Sequence, residues 1–110
     1  MDLQPPTESD IGRIVDLVVD AVQPLRVVLF GSVARGEQRA GSDLDLMVVV
    51  AEGVDRRAVG RSLYELMYLH RVLVPTQFVV TTPSGFATHK DTTGMVYRDI
   101  ARDGREVYAA

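Results

Sequence analysis

A chain of 110 residues makes one domain, large enough to bury roughly two-thirds of its unfolded surface in a single core. Its 46% hydrophobic and 25% charged residues are ordinary for a globular protein, and a net charge of −3 argues against a sequence-independent grip on nucleic acid. The absence of cysteine excludes disulfides, thiolate catalysis and zinc–thiolate sites, and no apolar run reaches the length of a membrane span.

The opening Met1-Asp2-Leu3-Gln4-Pro5-Pro6 lacks the basic and apolar regions of a signal peptide, so a cytoplasmic location is expected. Ser9 or Asp10 can cap a first helix, whose apolar residues Ile11, Ile14, Val15, Val18, Val19 and Val22 recur at helical spacing up to Pro24. Val27–Phe30 and Leu44–Val50 are apolar runs rich in β-branched residues and predict two buried strands, the second closed by Ala51-Glu52-Gly53. Asp55 caps a helix that buries Val59, Leu63, Leu66 and Met67 along one stripe and ends near His70. On a neighbouring face Tyr64 and Tyr68 stand four apart. They are expected at the core margin, and if exposed would form a partner patch. Pro75 precedes a third strand, Thr76–Thr81. Thr82-Pro83 starts a short helix toward His89, with Thr82 as cap and Pro83 in the first turn. After Gly94, Met95–Arg102 make a last helix ended by Gly104, and Arg105–Tyr108 form a terminal extended segment. The fold class is α/β (α+β): helices against one small mixed sheet, with residues 1–110 as a single domain.

Between the first two strands lie the residues that carry chemistry. Gly31 lets the backbone turn and approach a ligand without a Cβ in the way. Ser32 is a good N-cap for Val33-Ala34-Arg35, which Gly36 would end. A helix start with a hydroxyl and an arginine beside it favours phosphate, although a Gly-Ser turn also serves as a plain helix cap. Asp43 and Asp45, two apart at the start of a strand, point to one side with Cα atoms roughly 6.6 Å apart. Such a pair can converge on Mg²⁺, which takes oxygen ligands, or can stand as two solvated loop acids.

Gly31–Gly36, G-S-V-A-R-G, followed by Ser42–Leu46, S-D-L-D-L, resembles the signature of the DNA polymerase beta-like nucleotidyltransferase superfamily. The short chain is most similar to its minimal nucleotidyltransferase (MNT) branch. The resemblance implies that Gly31, Ser32 and Arg35 hold the triphosphate of ATP or another NTP, and that Asp43 and Asp45 are catalytic metal ligands for Mg²⁺. It also implies a third acidic residue on a neighbouring strand, where this chain has Gln77. A neutral ligand forfeits, gross and before desolvation, an attraction of order 8 kcal/mol toward a dication at about 4 Å. The two-ion site is therefore expected to be reduced to one. Glu52, Asp91 and Asp99 are the spare acids, and nothing in the sequence brings them to the vacant position.

Roughly the whole chain is used by such a fold, so the acceptor hydroxyl must arrive on another molecule. This resembles MNT proteins that act as antitoxins of HEPN-domain toxins. The HEPN signature, an arginine then four to six residues then a histidine, is absent around both His70 and His89, which puts this chain on the antitoxin side. The leading expectation is an enzyme that transfers AMP to its partner. The alternative is an NTP-binding module, weak or inactive because of Gln77, that neutralises the partner by direct binding. A third reading, a structural domain whose motif merely caps a helix, leaves the pairing of both motif halves unaccounted for.

Overall fold

The structure is a computed structural model that describes residues 4–110. The opening Met1-Asp2-Leu3 of the proline-bearing arm lies outside the described residues. Helix α1 (Glu8–Val22) leads into strand β1 (Arg26–Phe30), the short helix α2 (Gly31–Ala34) and strand β2 (Leu44–Val49). Helix α3 (Arg56–Leu69) then crosses to strand β3 (Thr76–Thr81), and α4 (Pro83–His89), α5 (Val96–Asp103) and β4 (Arg105–Ala109) complete the chain. The four strands form one mixed sheet in the order β3-β2-β1-β4. β1 is antiparallel to both β2 and β4, whereas β2 and β3 run parallel, as the intervening α3 crossover requires.

The two central strands, β1 and β2, read as nearly unbroken apolar runs because both of their faces are covered. Val27 and Leu29 of β1, with Leu44, Leu46 and Val48 of β2, pack under α1 and α3. Val28, Phe30, Met47 and Val49 face the other way, beneath Ile100 of α5 and Phe86 of α4. By the two-residue alternation Asp45 continues this second face at the open end of the sheet.

Local chemistry sets the helix ends, with two departures from expectation. The cap of α1 is Thr7, not Ser9 or Asp10. The Thr7 hydroxyl accepts the Asp10 N–H at 3.1 Å and the Asp10 carboxylate accepts the Thr7 N–H at 2.8 Å, a reciprocal box that starts the helix one turn earlier. Ser32 does not cap α2; that position falls to Phe30 and Ser32 lies inside the helix, where its hydroxyl is not spent on the backbone as a cap. Gly104 ends α5 at an ordinary φ of −66°. Glycine is needed there because a Cβ would stand 2.5 Å from the Ile100 carbonyl oxygen and 2.7 Å from Val28 Cγ1. The remaining caps are as read: Asp55 accepts the Arg57 and Ala58 N–H groups at 3.1 Å, and Thr82 accepts Gly85 N–H at 3.2 Å ahead of Pro83.

Candidate functional site

Three adjacent strands line up Phe30, Asp45 and Gln77 across the sheet. This alignment follows from the register of β1 with β2 and of β2 with β3, so the site is built on strand ends rather than on a free loop. Leu44 N–H donates to the Pro75 carbonyl at 2.8 Å and fixes where β2 and β3 begin. Ahead of it, Ser42 locks the turn: its Oγ accepts Arg39 N–H at 2.7 Å while its own N–H donates to the Arg39 carbonyl at 3.0 Å. Asp43 follows directly and is thereby held at the mouth of the sheet.

Gly31 turns the chain out of β1 at φ +77°, a conformation L side chains rarely adopt. The same residue packs against Asp45. A Cβ at position 31 would overlap Asp45 Oδ2 and lie 3.2 Å from its Cγ. The glycine thus serves both the turn and the seating of the second carboxylate, a double role the spacing of the motif does not disclose. Ser32, half-buried, comes next in the chain. Arg35 is exposed at the end of α2, where its Nε donates to Glu37 Oε2 at 3.2 Å.

Burial pushes the Asp45 carboxyl above its ordinary value, the negative charge of Asp43 pushes it further, and the positive charge of Arg35 pulls it back in part. The charges of Asp43 and Arg35 thus both reach the Asp45 carboxyl. Two carboxylates that repel while resting on a polar strand end fit a hard dication with oxygen donors. The third position is different. Gln77 donates its Nε2–H to Asp43 Oδ2 at 3.1 Å, so a neutral amide stands beside the pair where a carboxylate was expected. Its carbonyl oxygen is the only donor that side chain can offer a cation.

Of the spare acids, Glu52 is engaged at the start of α4. It accepts from Ser84 N–H at 2.8 Å and Ser84 Oγ–H at 2.9 Å, bonds that hold its carboxyl below the ordinary range. Asp99 pairs with Arg102 at 3.1 Å, and Asp91 sits in the exposed turn after α4. Among the described residues no three His, Cys, Asp or Glu side chains are grouped to hold a metal. One acid not foreseen, Asp103 at the end of α5, is held below the ordinary range first by the Arg102 guanidinium it accepts from at 2.9 Å and least by the charge of Arg35, a long-range influence that no local pattern signals.

Residues 11–92, a span containing Gly31, Ser32, Asp43, Asp45 and Gln77, match the family model of the nucleotidyltransferase domain. The chain belongs to this nucleotidyltransferase family. Its fold is shared with solved structures. A toxin–antitoxin with AMP-PNP superposes at a TM-score of 0.59 and 18% identity, over 90% of this chain and 73% of that one. The toxin–antitoxin MntA–HepT gives 0.54 and 16%, over 94% and 74%. A candidate nucleotidyltransferase from Sulfolobus solfataricus gives 0.57 and 20%, over 92% and 78%. At these identities the likeness is one of fold. A comparison with curated protein sequences finds no match. No helix among the described residues of this nucleotidyltransferase domain is long and apolar enough to cross a membrane.

Proposed function

We propose that this nucleotidyltransferase-fold chain takes ATP with Mg²⁺ and transfers AMP to a hydroxyl of a partner protein, as the antitoxin of a HEPN-domain toxin. The observation that carries the reading is the Gly31–Asp45–Asp43 constellation: two carboxylates two residues apart on one strand end, one of them seated against the glycine that turns the chain out of β1. Gly31, Ser32 and Arg35 would take the triphosphate, Ser32 through its hydroxyl and Arg35 through its charge. Asp43 and Asp45 would hold the metal, which when bound neutralises developing charge on the phosphoryl oxygens. In the transfer the acceptor oxygen bonds to the α-phosphorus, the bond from that phosphorus to the α–β bridging oxygen breaks, and pyrophosphate leaves. The acceptor proton passes to solvent or to a nearby base.

The protein acceptor is supported by the fold shared with the toxin–antitoxin structures, one of which contains AMP-PNP. A second reading has its own observation. The Gln77 amide bonded to Asp43, with no third acid grouped there among the described residues, favours a module that binds nucleotide and inhibits its partner by masking it. Incubation of the purified chain with α-labelled ATP, Mg²⁺ and the product of the adjacent gene separates the two. Label appearing on that product is the expected result. Inhibition of the product's activity with no label, at any enzyme concentration, would replace transfer by masking.

A further inference from the structure

We infer that Gln77 binds the nucleotide directly: with one amide hydrogen on Asp43, it gives the other to a phosphoryl oxygen. The inference rests on the Mg-ATP reading above and holds for transfer and masking alike, since both begin with a bound nucleotide. A carboxylate can only accept, so the Gln77 atom that stands 3.1 Å from Asp43 Oδ2 is the amide nitrogen. That nitrogen carries two hydrogens, and Asp43 Oδ2 takes one of them. Register pairs Gln77 with Asp45 across β2 and β3, which puts the two side chains on one face of the sheet. Gln77 is exposed there, at the open end of its strand. A ligand at the paired acids can reach it.

The neighbouring acids select what the second hydrogen meets. Asp43 and Asp45 would draw a dication to this strand end, and the phosphates come with it. Oxygens that share one Mg²⁺ at about 2.0–2.1 Å in an octahedron stand about 3 Å from one another. A phosphoryl oxygen on that ion is therefore as near to the Asp43 carboxylate as the Gln77 nitrogen is. An amide hydrogen turned to that oxygen makes a bond to a charged group, stronger than one between neutral partners. A carboxylate at position 77 has no hydrogen to give and would repel the phosphate. Glutamine here thus exchanges a metal ligand for a direct phosphate donor, which is more than the loss of a ligand.

The test compares wild type with Gln77→Met, which keeps much of the side chain's length and removes both hydrogens. The position is exposed, so the variant should melt with wild type in the absence of ligand. By titration calorimetry its affinity for Mg-ATP should fall roughly tenfold or more. Mn²⁺ alone, followed by water-proton relaxation, should bind the variant no more weakly than wild type, because the amide no longer competes for Asp43 Oδ2. Unchanged Mg-ATP affinity would overturn the inference while leaving the nucleotide reading intact. Equal losses for Mn²⁺ and Mg-ATP would overturn it too, in favour of a residue that only orients Asp43. Wild type with no Mg-ATP isotherm removes the nucleotide reading first, a failure visible without any variant.

Discussion

Gln77→Asp is expected to raise transfer turnover by roughly tenfold or more at saturating Mg-ATP and partner, because it restores a charge opposite a dication. The gross Coulomb gain is of order 8 kcal/mol at 4 Å in an effective dielectric near 20, and even a small part of it surviving desolvation exceeds a tenfold effect. The same substitution should act on stability with the opposite sign. In the native protein the Gln77 amide donates to Asp43 at 3.1 Å; an aspartate there exchanges that bond for a third negative charge beside Asp43 and Asp45. The variant should therefore melt below wild type in chelator and recover with Mg²⁺, a crossover that a neutral packing change cannot produce. Thermal melts with and without Mg²⁺, run beside the labelled-ATP assay, check both halves. No gain in turnover together with a melting temperature indifferent to Mg²⁺ would mean that position 77 does not face the metal.

Asp45→Asn is expected to abolish Mg-ATP binding, by roughly a hundredfold or more, and to make the protein without ligand more heat-stable. The carboxyl of Asp45 is pushed up first by burial and then by Asp43, so near neutral pH its ionised form is held at a cost to the fold. The sign follows from linkage. A group whose folded value is raised favours the fold below its unfolded value of 3.8, and that advantage is lost as pH rises through the folded value. The stability gap between variant and wild type should consequently be widest at neutral pH and close as the pH drops toward 3.8. Ligand should invert the ranking, since Mg-ATP at a hundred times its Kd adds about 2.7 kcal/mol to wild type and nothing to the variant. Melting temperatures at several pH values, with and without Mg-ATP, read all of this. A variant less stable than wild type at pH 7 would show that Asp45 is not strained by its surroundings.

How much of this was legible in the sequence depends on the range of each interaction. The strands and long helices came from periodicity, and Asp55 and Thr82-Pro83 came from cap chemistry contained within four residues. The start of α1 was misplaced because Thr7, Ser9 and Asp10 are all capping residues. Only the reciprocal Thr7–Asp10 bonds choose among them. Ser32 moved from cap to helix interior for a related reason: Phe30, extended at the end of β1, takes the cap position without a side-chain bond. The paired acids and Gln77 were legible as positions, because the motif is local and β3 begins after a proline. The seating of Asp45 on Gly31 was not, since it joins segments that only the folded sheet brings together. The exposure of Tyr64 and Tyr68 was equally hidden, because a tyrosine four residues from another reads the same at a core margin and in water.

The central claim is that Asp43 and Asp45 share one metal-bound triphosphate. Titration calorimetry of Mg-ATP into wild type and Asp43→Asn tests it most directly. A clear binding isotherm for wild type that is lost or weakened at least roughly a hundredfold in the variant is the predicted result. Equal affinity in the two proteins would contradict it.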